Sequence, residues 1–310
     1  MRKFIFGDLH GNGDIYDSMM GYLDNVCKNE NIELFINGDL FDCGPDSFRM
    51  LMDMKERMKK QDRMKIDYMA GNHEWLMYEA LMDRKPGKWI DPFCNWMLNG
   101  GWLVEGELFC REDGEELCEE FKGFLSELKI YHLFDEKIAG KPMVLVHAQT
   151  PERVQKECDM KLGDSTLAVE KAVWTRKDRN YDGIFGTAFP SKNRIGSQDY
   201  FSIVGHTPVE NGKGFAIDEE ENSINIDGDC ALYAIGRFEL DRVPLVEVHP
   251  DHIDLIIFNH DNEIVEGYHY DGTLKPMEEE EMNQHRQFIN HDFDHQVETH
   301  KQKILEILNV

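Results

Sequence analysis

Short apolar runs that end at a polar residue recur along the chain, most of them with a glycine at the junction. Five of these runs have the length and composition of buried strands, at residues 4–6, 34–36, 68–70, 143–146 and 201–204. Further strand-like runs follow at residues 232–238, 245–248, 255–258 and 264–270. The pattern predicts a protein in which many short strands deliver polar side chains at their ends.

Between the first strands, apolar residues recur at helical spacing. One set runs from Ile15 to Val26, and the next runs from Phe48 to Met58. A strand followed by a helix, repeated, is typical of an α/β fold. The methionines from Met50 to Met69 are better explained as core packing than as a cofactor site, because methionine fills irregular apolar gaps.

The middle and the end of the chain depart from this alternation. Residues 83–140 hold several tryptophans and a helical stripe from Leu117 to Leu128, which predicts a small helical insertion in a main domain spanning residues 1–270. The aromatic residues of the insertion either line a substrate groove or pack a small cap. Residues 271–310 form an acidic, histidine-rich tail, interpreted as a surface helix rather than a metal site.

Composition narrows the function classes. The 310 residues can bury a substantial core, and seven scattered cysteines without a CxxC pair favour a reducing cytoplasm. Neither a signal peptide nor an apolar run of membrane length is visible. The formal charge of −26 opposes binding to nucleic acid or to an anionic membrane. An anionic phosphoryl substrate would need local positive potential, which metal ions supply.

The polar residues at the strand ends are metal-ligand types. Because strands placed side by side deliver such residues to one edge of an α/β sheet, we expect them to converge there. Two divalent ions fit this set of oxygen and nitrogen donors. The absence of a thiolate favours Mn²⁺, Fe or Zn²⁺ over a soft metal without choosing among them, and Mn²⁺ is the first expectation. The expected ligands are Asp8, His10, Asp39, Asn72, His147 and His206.

Six motifs in this order carry a family resemblance. They read GDLHGN, GDLFDCG, GNHE, VHAQ, GHTP and INIDGD. The chain resembles the calcineurin-type metallophosphoesterases, and more narrowly the bacterial and phage phosphoprotein phosphatases related to lambda phage phosphatase and symmetrical diadenosine tetraphosphatase. The resemblance implies a metallophosphoesterase fold, with a central two-sheet β-sandwich flanked by helices.

The resemblance also implies roles for single residues. Asp8, His10 and Asp39 would hold one ion, and Asp39 would bridge to a second ion that is also held by Asn72, His147 and His206. A hydroxide bridging the two ions would attack phosphorus. His73 would be the general acid, oriented by Asp42, while Asn72 and Arg176 would contact substrate. Arg176 has a simpler alternative as a surface ion-pair partner.

Two departures from the family pattern stand out. Cys43 occupies the position of a phosphate-clamping arginine, and cysteine offers none of the bidentate contacts of a guanidinium. Gln149 follows the His147 motif where the family usually has glycine. Arg153, Arg179, Lys192 or Arg194 could supply the missing charge from another direction.

The sequence therefore predicts a dimetal phosphoesterase that acts on phosphoprotein Ser, Thr or Tyr, or on small phosphomonoesters. The main alternative enzyme is a dinucleoside polyphosphate hydrolase, which would share the catalytic residues. A third possibility is a non-catalytic scaffold that binds a partner, because a fold does not guarantee an activity.

Overall fold

Two β-sheets packed face to face form the centre of this computed structural model. The structure describes residues 1–82, 91–176, 195–209, 212–231, 242–259, 261 and 263–289. The larger sheet has seven strands in the order β12-β11-β10-β9-β1-β2-β3. Its strands are β1 (Arg2–Phe6), β2 (Ile32–Asn37), β3 (Met64–Met69), β9 (Val243–Val248), β10 (Ile253–Phe258), β11 (Ile264–Tyr270) and β12 (Leu274–Pro276).

The smaller sheet has five strands in the order β4-β5-β6-β8-β7. Strands β5, β6 and β8 are parallel to one another, as are β1, β2 and β3 in the larger sheet. Each sheet therefore gathers the carboxyl ends of three parallel strands at one edge. The strands are β4 (Tyr131–Ile138), β5 (Lys141–Val146), β6 (Phe201–Val204), β7 (Ala216–Asp218) and β8 (Ser223–Asn225).

Side-chain alternation explains why the sheets stack. Ile5 and Phe35 point to the inner layer, where they pack with Leu145 and Ile203 of the facing sheet. The neighbouring residues of each strand point outward and pack under the helices. This alternation with a period of two is what a strand buried on both faces requires. The predicted two-sheet sandwich is confirmed.

Helices cover the outer face of the larger sheet. Met50 and Met54 of α2 are fully buried, as expected for core methionines. Among the described residues, no helix combines the length and the hydropathy of a membrane span. The helices are α1 (Gly13–Cys27), α2 (Ser47–Lys60), α3 (Asn72–Met82), α4 (Pro92–Trp96), α5 (Trp102–Cys110), α6 (Gly114–Ser126), α7 (Leu167–Trp174) and α8 (Glu279–Arg286), with a π turn at Met97–Gly101 and a 3-10 turn at Leu162–Asp164.

Two boundaries differ from those drawn on the sequence. The insertion was expected over residues 83–140, but residues 131–138 form β4, which pairs with β5 and belongs to the sandwich. The helical part within the described residues is α4 to α6. The larger sheet also continues past residue 270, because β12 pairs with β11. The strand expected at 232–238 and the tail from residue 290 onward lie outside the described residues.

Candidate metal centre

The polar side chains predicted from the strand ends meet between the two sheets. Asp8 follows β1, Asp39 follows β2, and Asn72 begins α3 after β3. His147 and His206 follow β5 and β6 of the smaller sheet. We call the set Asp8, His10, Asp39, Asn72, His147 and His206 the ligand rim. All six residues are at most 5% exposed.

Asp39 lies at the centre of the ligand rim. Its Oδ2 atom is 3.6 Å from His10 Nε2 and 3.3 Å from His147 Nε2. Two groups of donor atoms, each compact enough for one ion, share this carboxylate: Asp8 with His10 and Asp39, and Asp39 with His147 and His206. All members of the two groups are residues that the sequence predicted as ligands, and Asp39 belongs to both groups.

His147 is oriented so that one ring nitrogen faces only oxygen atoms. Its Nδ1 donates a hydrogen bond to the Asn37 carbonyl at 2.7 Å. Its Nε2 then faces Asp39 Oδ2 and, at 3.1 Å, Asn72 Oδ1. Burial lowers the pKa of His147, but the charges of Asp39 and Asp8 outweigh it and raise the value to about 10. Oxygens around this nitrogen therefore favour a positive charge there, either a proton or a cation.

Several buried donor atoms of the ligand rim have no hydrogen-bond partner. They are Asp8 Oδ2, His10 Nδ1 and His206 Nδ1. The other oxygen of Asp8 accepts the backbone N–H of His206 at 2.7 Å, which fixes the carboxylate in place. Unpaired buried polar atoms are costly, so their concentration here fits residues that bind metal ions.

Carboxylates crowd this site. The pKa of Asp8 is raised well above its usual value by burial and then by the charge of Asp227. Burial also raises the pKa of Asp227, to about 7. Like charges that are buried together repel one another unless a positive charge lies between them. Divalent cations would supply that charge, so the residues present fit two ions.

Backbone strain is concentrated in the same loops. Asp8, His10, Asp39 and His206 all adopt left-handed conformations, with φ of 54°, 48°, 50° and 67°. This region costs a non-glycine residue roughly 1–2 kcal/mol. Two glycines clear space instead of turning: a Cβ on Gly71 would lie 2.2 Å from Asp39 Oδ1, and one on Gly205 would lie 2.0 Å from Asp8 Oδ2. The fold thus accepts strain in order to bring these side chains together.

His73 lies beside the ligand rim and is held by a buried carboxylate. Its Nδ1 is 3.0 Å from Asp42 Oδ2, and its Nε2 is 4.0 Å from Asp39 Oδ2. The indole of Trp96 donates to both oxygens of Asp42, at 3.2 and 2.9 Å. Burial lowers the pKa of His73, but Asp39 and Asp42 together raise it above its usual value. With Nδ1 held by Asp42, the Nε2 atom of His73 is the ring nitrogen that faces the site.

Comparison with known proteins identifies the family. The sequence matches the family model of calcineurin-like phosphoesterases over residues 1–261. The chain belongs to this family. No curated protein sequence matches it.

Several solved structures are similar to this calcineurin-like phosphoesterase at low sequence identity. A protein serine/threonine phosphatase from Saccharomyces cerevisiae aligns with a TM-score of 0.50 and 12% identity, over 81% of this chain and 73% of that one. A cold-active protein-tyrosine phosphatase from a psychrophilic Shewanella aligns with a TM-score of 0.44 and 12% identity, over 89% and 80%. A metallophosphoesterase from Sphaerobacter thermophilus gives 0.36 and 16%, over 81% and 84%. At 12% identity, the similarity to the yeast phosphatase concerns the fold alone.

Glu74 is a residue of the site for which no role was predicted from the sequence. Its Oε2 accepts the backbone N–H groups of Asp39 and Gly71, each at 2.8 Å. Its Oε1 accepts the Leu40 N–H at 3.2 Å and the Tyr68 hydroxyl at 2.6 Å. One buried carboxylate thus ties the loop after β2 to the start of α3. The signal was present in the GNHE motif, since an acidic residue in the first turn of a buried helix needs a reason to be there.

Arg176 reaches the ligand rim from the end of α7. Its Nε is 3.1 Å from His206 Nε2, and the Trp174 carbonyl lies at the same distance from that nitrogen. The Oε1 atom of Gln149 accepts the hydroxyl of Thr175, the residue before Arg176, at 2.9 Å. The structure therefore brings Arg176 to the site and gives Gln149 a role in holding the loop before Arg176. Arg179, Lys192 and Arg194 lie outside the described residues.

Cys43 is enclosed by the segment that precedes α5. Its backbone N–H donates to the Gly100 carbonyl at 3.2 Å, and its Sγ lies 3.6 Å from the Asn99 carbonyl. Burial and the charges of Asp42 and Asp39 raise the pKa of the thiol to about 12. This thiol therefore stays protonated near neutral pH, which favours its role as a packing residue over a redox role.

Proposed function

We propose that this member of the family is a dimetal phosphoesterase that removes phosphate from phosphoprotein Ser, Thr or Tyr, or from small phosphomonoesters. The supporting observation is that side chains from the ends of four strands in two sheets, β1, β2, β5 and β6, gather at the Asp39 carboxylate. This convergence leaves buried ligand atoms without partners and raises the pKa of the buried Asp8 carboxyl. Such an arrangement is stable only with positive charge between the side chains.

The ligand rim would hold two divalent cations. Asp8, His10 and Asp39 would bind one, and Asp39, Asn72, His147 and His206 would bind the other. The donors are oxygen and imidazole nitrogen, a set that suits Mn²⁺ first and also Fe or Zn²⁺. When bound, such ions activate water for attack and stabilise charge on the phosphoryl oxygens.

His73 would donate the proton that the leaving oxygen needs. Asp42 accepts the Nδ1–H of His73, which leaves Nε2 as the donor toward the ligand rim. Trp96 holds Asp42 from the other side, so neither ring nor carboxylate is free to rotate. A general acid fixed in this way contributes about 10²–10⁴-fold in rate.

Arg176 and Asn72 would contact the phosphoryl group. Arg176 lies against His206, so its guanidinium is close enough to the rim to pair with a phosphoryl oxygen. Cys43 supplies no such contact, so one clamp replaces the family's two. We expect weaker phosphate binding, seen as a raised KM for simple phosphomonoesters.

Hydrolysis of p-nitrophenyl phosphate by metal-loaded protein tests the proposal. The wild-type chain with added Mn²⁺ should turn over, while Asp39→Asn should lose about 10³-fold or more in kcat/KM because the shared carboxylate charge is gone. Asp135→Asn is a matched control, since this exposed carboxylate pairs only with Lys156 at the surface. Equal rates for wild type and Asp39→Asn would refute the catalytic proposal and favour a binding scaffold.

A substrate panel separates the enzyme classes. The same protein is offered phosphoserine, phosphothreonine and phosphotyrosine peptides, small phosphomonoesters and diadenosine tetraphosphate. We expect the highest kcat/KM among the phosphomonoesters. Turnover of diadenosine tetraphosphate far above all of them would replace this proposal with the dinucleoside polyphosphate hydrolase.

A further inference from the structure

A second group of imidazoles lies at the edge of the larger sheet opposite the ligand rim. Strand β9 runs antiparallel to β1, and Val248 pairs with Lys3. His249 therefore lies beside the amino end of β1, whereas Asp8 follows its carboxyl end. We call His249, His252, Asp254 and His269 the histidine cluster. Its position makes it independent of the catalytic residues.

Strand pairing assembles the histidine cluster. Asp254 on β10 is the direct cross-strand partner of His269 on β11 and of Glu247 on β9. Direct partners point to the same face of a sheet, with Cβ atoms about 5 Å apart. His249 and His252 come from the turn between β9 and β10, which returns them to the same carboxylate. Residues far apart in sequence thus meet at Asp254.

Three imidazoles converge on the buried carboxylate of Asp254. His269 Nδ1 is 2.6 Å from Oδ1, His249 Nε2 is 3.0 Å from Oδ2, and His252 Nε2 is 3.5 Å from Oδ1. One ligand atom each of His249, His252 and Asp254 lies within 4.8 Å of the others, compact enough for one ion. The His249 and His252 rings stack with centroids 4.3 Å apart, so sharing one ion requires them to tilt. The His249 and His252 side chains are 30% and 32% exposed, so few packing contacts oppose a tilt of either ring.

Two of the imidazoles are held from behind by further carboxylates. His252 Nδ1 lies 2.9 Å from Asp251 Oδ1, and His269 Nε2 lies 3.2 Å from Glu281 Oε2 on α8. Metal-binding histidines usually donate their second ring N–H to a carboxylate or carbonyl in this way, which fixes the tautomer and aims the other nitrogen at the ion. A neutral imidazole between two carboxylates can donate to only one of them, so a cation at Asp254 would satisfy both rings.

The surrounding charges favour a cation at Asp254. Glu247 is opposite Asp254 across the strands, and like charges in direct register repel. Arg2 neutralises Glu247 through two hydrogen bonds of 2.6 and 2.8 Å. On the α8 side, His285 is engaged by the Tyr22 hydroxyl at 2.9 Å. Asp254 is left with the three imidazoles as its partners among these residues.

We propose that His249, His252 and Asp254 form a zinc site at the β9–β10 turn, which His269 ties to β11 by pairing with Asp254. Two imidazole nitrogens and one carboxylate oxygen suit Zn²⁺, with a water molecule completing a tetrahedral arrangement. The ion would join the turn to β10 and so stabilise this edge of the sheet. Glu281 extends the site to α8 and couples the helix to the ion.

Zinc binding to the full chain tests this site. Chelator-treated wild-type protein and His252→Ala are dialysed against Zn²⁺, bound zinc is counted, and unfolding midpoints are recorded with and without Zn²⁺. We expect wild type to bind one zinc equivalent more than His252→Ala, and its Zn²⁺-dependent rise in midpoint to exceed that of the variant. His252 lies in a half-exposed turn, so the variant should fold. Asp251→Asn, which removes only the carboxylate behind His252, should lower the zinc affinity of this site by about 10–100-fold.

Two matched proteins isolate the site from other zinc binding. His132→Ala removes an imidazole that also faces a carboxylate, Asp67 at 3.4 Å, where no group of three ligand atoms forms among the described residues. It should bind as much zinc as wild type. Asp39→Asn disables the ligand rim and should retain the zinc equivalent that His252→Ala removes. Equal zinc content and equal stabilisation in wild type and His252→Ala would overturn the proposal.

Discussion

The ligand rim and the histidine cluster occupy opposite edges of one sheet, and their backbones differ. Seven of the eleven non-glycine residues with positive φ in the described chain lie in the loops of the rim or beside it. None lies in β9, β10, β11 or the β9–β10 turn. The rim brings side chains together by bending the backbone, whereas the histidine cluster does so through ordinary strand register. Bending is needed where ligands from two separate sheets must meet.

The two regions also differ in burial, because the ligand rim is more deeply buried than the histidine cluster. Asp8 and His147 of the rim are fully buried, while the imidazoles of the histidine cluster are 28–32% exposed. Charges that are removed from water depend strongly on their partners, and half-exposed charges depend on them weakly. Changes in the rim should therefore have large effects on catalysis and metal binding, and changes elsewhere should have modest effects on stability.

The largest expected effect concerns proton donation by His73 beside the ligand rim. His73→Asn should lower kcat for phenyl phosphate by about 10²–10⁴-fold, because the poor leaving group must be protonated. The loss should be smaller for p-nitrophenyl phosphate, whose leaving group is stable as an anion. Steady-state kinetics on both esters, with metal content measured in parallel, checks this.

The imidazole control for that experiment is His132→Asn, which removes a ring that faces Asp67 away from the rim. It should leave both rates unchanged. Equal losses on the two esters together with reduced metal content in His73→Asn would mean that His73 supports the metal ligands rather than donating a proton.

Glu74→Gln tests whether the strained loops need their buried support. The amide of glutamine would turn a donor toward the N–H groups of Asp39 and Gly71, which now donate to Oε2. We expect metal affinity to fall by about 10–100-fold, as for other groups that orient ligands from behind. Metal titration followed by the unfolding midpoint measures it. Glu79→Gln, on the exposed side of the same helix, should bind metal as the wild type does, and a matching decline there would show that the effect belongs to α3 in general.

A smaller effect is expected at a carboxylate outside both regions. Asp67 accepts from Lys129 at 2.6 Å and faces His132 at 3.4 Å. Burial raises its pKa, but these two partners lower it overall. A lowered native pKa stabilises the fold above about pH 4, where the unfolded carboxyl is ionised, and this stability disappears as the pH falls through the native value.

Asp67→Asn should therefore lower the free energy of unfolding by about 1 kcal/mol at neutral pH and by less below about pH 4. Urea unfolding at several pH values provides the measurement. A difference that does not shrink in acid would mean that packing, and not charge, explains the loss. The result also gives the size of an ordinary carboxylate contact with a lysine and a histidine, against which zinc-dependent stabilisation of the histidine cluster can be judged.

The sequence predicted the rim well because its signals are local. Asp39, Asn72, His147 and His206 each follow a strand end within three residues. The direction of the strand therefore predicts that the side chain lies at the carboxyl end of the sheet. The apolar runs and their order predicted an α/β fold, and the family resemblance implied the two-sheet sandwich. Glycines mark most of the junctions, yet several ligands take the left-handed conformation themselves while Gly71 and Gly205 clear space.

What the sequence did not predict depends on long-range pairing. Asp254 and His269 are brought together by the register of β10 and β11, and no motif states that register in advance. Glu74 binds backbone N–H groups, which every residue has, so its partners leave no trace in the sequence. The mixed polar pattern of β4 led to its assignment to the helical insertion. In the structure its pairing with β5 makes it a strand of the smaller sheet.

The smallest expected effect concerns left-handed backbone strain outside the ligand rim, which no function of the protein should require. Ala139 and Gly140 form the turn between β4 and β5, with φ of 50° and 79°. No ligand depends on Ala139, so Ala139→Gly should raise the free energy of unfolding by about 0.5 kcal/mol, the relief of left-handed strain minus the added freedom of the unfolded chain. Gly140→Ala is the matched opposite, since no atom lies within 4 Å of its Cβ and only backbone strain is added. It should destabilise by about 1 kcal/mol. If Ala139→Gly instead destabilised the protein, a left-handed φ would not by itself indicate strain. The ligand rim and the histidine cluster would then differ in burial and not in backbone strain.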